Sequence, residues 1–181
     1  MKHNKLAASL FFSGILLLSG CGSSSSSSST STQTPSAAVL GSTTIVTTSG
    51  KTIQVDKTAG GFIFHGYEGK IILLEVYGDT CPHCIAAIPA YNRLQAKYSN
   101  DVKIIALESY GTLSNASKQQ YDTVAKANTG NMFPFIRELT GYGLQVVPYL
   151  MVLNKSGDSV YAEVLADFPE ANIDNLIQSL R

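Results

Sequence analysis

Residues 71–77, "IILLEVY", run apolar without a break except for one carboxylate, Glu75. A strand with one solvated face alternates apolar and polar side chains, whereas a strand covered on both faces shows a continuous apolar run. The segment therefore requires packed layers on both sides. Residues 102–109, "VKIIALES", repeat the pattern, and between the two lies a helix over 85–98 with Ile88, Tyr91, Leu94 and Tyr98 spaced by three and four. Before them, "TTIVTTSGKTIQV" alternates around Ser49-Gly50 and predicts a hairpin. After them come a more polar helix over 114–128, a short extended piece "FPFI" at 133–136, and a strand pair, "YLMVLN" with "SVYAEVLAD", around the turn Lys155-Ser156-Gly157-Asp158. A closing helix over 171–181 gathers Ile173, Leu176, Ile177 and Leu180 on one face. Strand, helix, strand, then a hairpin and a helix describe an α/β sandwich with a mixed central sheet. There is no internal repeat.

The N-terminus is of another kind. Lys2 and Lys5 precede an apolar stretch over 6–18, "LAASLFFSGILLL", which is short for a permanent membrane span and has the form of an export signal. It runs into "LSGC" at 18–21, which resembles the lipobox of bacterial lipoproteins, and that resemblance implies cleavage after residue 20 and lipidation of Cys21. The serine run at 23–29 opens a small, polar segment that cannot bury a core. As a tether, some twenty such residues have an r.m.s. reach of roughly 25 Å. The expected organisation is a signal peptide over 1–20, a lipidated tether over 21–42 and one folded domain over 43–181. Loss of Lys2 and Lys5 leaves 11 basic against 13 acidic residues, so no basic footprint for nucleic acid remains.

Of the three cysteines, Cys81 and Cys84 stand as a pair, "CPHC". A structural zinc site needs four N or S ligands. Here there is no second CxxC, and beyond the leader only His65 and His83 could add to the pair. An inert disulfide closing so small a loop would restrain little of the unfolded chain. A cycling dithiol fits better. Between a buried strand and a helix, Cys81 falls at the helix N-terminus, with Pro82 at the first helical position, where a missing N–H costs nothing. Such a position favours the thiolate, and a protonated His83 adds to the effect. Cys81 is then the nucleophile and Cys84, one turn on, the resolving thiol. Glu75, costly inside an apolar strand unless neutral or partnered, is the candidate base.

These residues carry a family resemblance. CxxC followed by Pro89, with an acid six residues before the first cysteine, resembles the thioredoxin superfamily, and "YGLQVVPYLMVLNKSG" at 142–157 resembles its second signature. The resemblance implies a three-layer sandwich whose mixed central sheet carries helices on both faces. It implies further that Pro148 is a cis-proline beside the cysteines, and that the backbone of Val147 pairs with an extended substrate peptide. The leading hairpin, "FPFI" and "YGLQVVP" resemble the membrane-tethered TlpA-like group. By contrast, CPHC and the valine before the proline resemble DsbA, although 63 residues between Cys84 and Pro148 are too few for DsbA's helical insertion.

What the resemblance implies for function is a lipid-anchored thiol-disulfide oxidoreductase of the bacterial envelope, facing the periplasm, on the inner or the outer membrane. It would need no cofactor or metal beyond the Cys81–Cys84 disulfide. His83 leans it towards an oxidant of exported proteins, recharged by a DsbB-like membrane protein. The alternatives are a TlpA-like reductase, for example in cytochrome c maturation, fed by a DsbD- or CcdA-like protein, and a non-catalytic binding lipoprotein of the same fold.

Overall fold

In a computed structural model of the chain, residues 38–109, 124–126, 136–138 and 147–181 are described. The leader, Cys21 and the serine run lie outside them. The elements are β1 (Gly41–Thr47), β2 (Thr52–Lys57), β3 (Phe62–Phe64), β4 (Ile71–Tyr77), α1 (Pro82–Lys97), β5 (Val102–Glu108), β6 (Val124–Lys126), β7 (Tyr149–Leu153), β8 (Ser159–Val164) and α2 (Glu170–Leu180). They build one mixed sheet in the order β3-β2-β1-β6-β5-β4-β7-β8. Its centre is parallel, β4 against β5 and β5 against β6, and the other neighbours are antiparallel.

All seven residues of β4 are buried. The period of two sorts them. Ile71, Leu73 and Tyr77 face one core with Cys84, Tyr91 and Leu94 of α1 and Ile173 and Ile177 of α2. Ile72, Leu74 and Val76 face the opposite core, which β1, β2 and β3 fill with Ile45, Val55, Phe62 and Phe64, joined by Ile136 of the helical residues 136–138. At about 1.5–3 kcal/mol per fully buried large apolar side chain, these two cores hold the sheet in place.

The predicted hairpins, the strands at β4 and β5, and both flanking helices are found, α1 starting three residues earlier than the periodicity alone indicated. Two expectations are corrected. Val124–Lys126, inside the helix predicted over 114–128, is a strand, because Val124 and Ala125 pair with Ala106 and Leu107 while Ala125 and Lys126 pair with β1. Such tertiary pairing overrides local helical preference. Ile136, the last residue of "FPFI", is helical rather than extended; the rest of both segments lies outside the described residues.

β3 and β8 are opposite edges of the sheet, yet they meet. The Phe62 N–H donates to the Gly157 carbonyl (2.9 Å), the Ser159 N–H donates to the Gly60 carbonyl (2.8 Å), and Gly61 bridges to Asp158. Glycine is needed for this approach: a Cβ on Gly61 would lie 2.1 Å from the Gly157 carbonyl oxygen, and one on Gly157, at φ +88°, would lie 2.5 Å from that of Phe62. The closure covers both exposed edges locally.

On the hairpin, the Asp56 carboxylate accepts from Ser42 Oγ (2.6 Å) and Gln54 Nε2 (3.1 Å) and pairs with His65 Nε2 (2.7 Å). The Ser42 hydroxyl first, then His65 and Gln54, hold its pKa down at about 2. Lys57, the next residue, is ion-paired with Glu138.

Two outcomes follow. Gly157→Ala should cost about 2 kcal/mol or more through the left-handed backbone and the overlap, and lower Tm by about 4–8 °C; an unchanged melting curve would contradict the closure. For Asp56, the folded pKa is depressed, so its contribution is complete above its ordinary value of 3.8 and is lost as pH falls towards 2. Asp56→Asn should therefore be less stable than the parent at pH 6, with the gap closing as pH drops through that window in urea titrations.

Candidate functional site

β4 ends at Tyr77, and the Cys81 N–H donates back to the Gly78 carbonyl (3.0 Å), turning the chain into α1. Cys81 is the N-cap, in extended backbone (φ −78°, ψ 115°), and Pro82 opens the helix. An N-cap side chain ordinarily accepts from an early backbone N–H. Here the acceptor is sulfur: Cys84 N–H donates to Cys81 Sγ at 3.2 Å. The two cysteines are disulfide-bonded, with Cα atoms 5.3 Å apart. Cys81 is partly exposed and Cys84 fully buried, the asymmetry expected of an attacking and a resolving sulfur.

The Val147-Pro148 peptide bond is cis. Pro148 is buried, its carbonyl accepting from the Leu165 N–H (2.9 Å). Val147 packs against both cores, and its carbonyl oxygen lies 3.8 Å from Cys81 Sγ. So Cys81, Cys84, Val147 and Pro148, 63 or more residues apart in sequence between the pairs, come together at one end of the sheet. Pro82 and His83 are exposed on the first turn of α1.

Glu75 is fully buried, which excludes a side chain reaching solvent at the strand end. It lies between Ala106 of β5 and Leu150 of β7 in register. Alternation puts it on the face of Leu73 and Tyr77, the face that Cys84 packs against. One group escaped sequence reasoning: Glu108, the last residue of β5, is also buried, 1% exposed. The signal that marked Glu75, an acid in an apolar run, is present in "VKIIALE" too.

Among the described residues, no cluster of three or more His, Cys, Asp or Glu side chains is arranged to hold a metal ion, and no helix is long and apolar enough to cross a membrane. The site is a disulfide at a helix end, with the Val147 carbonyl beside Cys81 and the buried Glu75 on the sheet face that Cys84 packs against.

No protein-family model matches the chain, and no curated protein matches it. Solved structures do. The exposed lipoprotein thioredoxin of Streptococcus pneumoniae superposes with a TM-score of 0.57 at 17% identity, over 77% of this chain and 100% of that one. The thioredoxin domain of a thiol-disulfide oxidoreductase from Bacteroides vulgatus gives 0.56 at 11% identity, over 78% and 97%. StoA from Bacillus subtilis gives 0.53 at 14%, over 76% and 97%. The fold is thus thioredoxin-like, α/β with a mixed sheet and helices.

Proposed function

We propose that this chain is a thiol-disulfide oxidoreductase of the bacterial cell envelope, tethered by a lipid on Cys21, which exchanges disulfides with exported proteins through Cys81 and Cys84. The observation that carries the reading is Cys81 Sγ at the N-cap of α1, accepting the Cys84 N–H and lying 3.8 Å from the Val147 carbonyl next to cis-Pro148. A helix N-terminus with a free donor stabilises a thiolate, and the extended edge at Val147 suits a substrate backbone. Three solved neighbours described as thioredoxins or a thiol-disulfide oxidoreductase, or sharing their fold, support it, and one of them is an exposed lipoprotein.

The roles are these. Cys81 forms the mixed disulfide, Cys84 resolves it, Glu75 moves the proton of Cys84, and His83 and Pro82 set the thiolate at the helix end. The disulfide itself is the redox centre, so no cofactor is required. Direction depends on how strongly the Cys81 thiolate is held. The span from thioredoxin to DsbA, about 150 mV, is roughly 7 kcal/mol. A helix end gives up to about 2 kcal/mol and a hydrogen bond to a charged sulfur about 1.5–3 kcal/mol. His83, between the two cysteines, supplies part of such stabilisation. On that reading the protein is an oxidant, recharged by a DsbB-like membrane partner. A reductase fed by a DsbD- or CcdA-like protein is the second reading, favoured by the TlpA-like leading hairpin that β1 and β2 form.

Two tests separate these readings. Cys84→Ser, incubated with insulin, should accumulate a mixed disulfide at Cys81 visible by mass spectrometry, and Cys81→Ser should not; no adduct and no insulin reduction by the parent would point instead to a non-catalytic binding module. His83→Pro should make the disulfide more reducing, measured against glutathione, and an unchanged potential would remove the oxidant reading.

A further inference from the structure

We propose that Ile85 is a specificity-determining residue, which receives an apolar side chain of the substrate two residues from the cysteine that reacts with Cys81. This deepens the thiol-disulfide exchange proposed above and rests on it.

Among the described residues, five large apolar side chains stand exposed: Val39, Leu40, Val46, Ile85 and Val160. Ile85, at 44%, is the one on the helix that carries the disulfide. It lies one turn beyond Cys81, its N–H donating to the Cys81 carbonyl (3.0 Å), and residues four apart are neighbours on a helix surface. Its surroundings on α1 are apolar as well. Pro82, Ala86 and Pro89 are exposed, and with Ile85 they occupy the i, i+3, i+4 and i+7 positions that share one face of a helix. One exposed apolar side chain is ordinary, whereas a contiguous set beside a reactive group marks a contact surface.

The second half of the same helix is different in kind. Arg93 pairs with Glu170 (2.6 Å) and Lys97 with Asp174 (2.7 Å), so the exposed face from Arg93 onward is charged and engaged with α2. Between Pro82 and Pro89 the only titratable side chain besides Cys84 is His83. The apolar face therefore begins at the disulfide and ends where the ion pairs to α2 begin.

The neighbouring groups set the chemistry of the occupant. The Val147 carbonyl, 3.8 Å from Cys81 Sγ, is an acceptor for the backbone of an extended peptide. In such a peptide alternate side chains point the same way. When the substrate cysteine points at Cys81, the residues two positions away point to the same side and the adjacent ones point away. Two residues of strand advance about 6.5 Å, and the four residues of helix from Cys81 to Ile85 advance about 6 Å. The two steps match, so the sulfur meets Cys81 while the second side chain covers Ile85. Ile85 offers that side chain no polar partner, and covering it removes apolar surface of both from water. The substrate class is thus a segment with an apolar residue two positions from its cysteine.

The test uses the oxidised full chain in detergent and short peptides with one cysteine among serine and glycine residues, leucine being placed one or two residues before or after it. The step read is attack of the peptide thiolate on Cys81 Sγ, in which the new S–S bond forms as the Cys81–Cys84 bond breaks and Cys84 leaves as a thiolate. Acid quenching and mass spectrometry follow it. Leucine two residues from the cysteine, on one side of it, should raise the second-order rate about tenfold over serine, the low end of what an apolar contact contributes to discrimination. Leucine next to the cysteine should not. Ile85→Ser should abolish the difference between leucine and serine, and Ile85→Glu should make lysine the preferred residue there. Each comparison is a ratio within one chain, so a change in sulfur reactivity cancels. Val160→Ser, on β8, should keep the parent's ratio. A leucine preference that survives in a folded Ile85→Ser chain, or a parent that exchanges with every peptide without distinguishing leucine from serine, would overturn the assignment of Ile85. A disulfide that reacts with none of the peptides would overturn the proposed function itself.

Discussion

Burial of β4 on both faces is the constraint from which the rest of the structure follows. A strand without a solvated face needs α1 and α2 on one side and β1 to β3 on the other, and the chain must leave it by a tight turn to put α1 back across it. That turn sets Cys81 at the N-cap. The same burial makes Glu75 expensive as a charge, and it brings β7, antiparallel to β4, so that cis-Pro148 opens beside the cysteines.

The site balances two demands. The front holds a partly exposed sulfur whose anion would be favoured by the helix end and by the Cys84 N–H. The back holds a sulfur with no access to water, which cannot gain or lose a proton without a protein group to exchange it with. In the proposed exchange Cys84 must change its protonation state, which makes Glu75, buried on the face that Cys84 packs against, the group to test for that transfer. The scaffold constrains neither the direction of electron flow nor the substrate.

Local pattern carried much of this. The apolar runs at 71–77 and 102–109, the alternation around Ser49-Gly50 and the three-four spacing of Ile88, Tyr91 and Leu94 are each short-range signals, and each element is present. Cys81 at a helix start and a proline opening β7 were legible because caps and prolines act within a few residues. What was not legible is non-local. Val124–Lys126 is a strand because β5 and β1 flank it, and nothing in its own sequence outweighs the helical pattern expected over 114–128. The meeting of Gly61 with Asp158 joins segments almost a hundred positions apart. Glu108 ends an apolar run, and only the register beside Tyr77 and its burial set it inside the packed sheet.

The most direct test of the central claim, that Cys81 and Cys84 form a redox couple poised by the helix end to oxidise, is the equilibrium reduction potential of the full chain in detergent, equilibrated across glutathione buffers and quenched in acid. The account predicts a value near the DsbA end of the scale, about −120 mV, and in any case above about −180 mV. A value at or below that of thioredoxin, about −270 mV, would contradict it and make the chain a reductant.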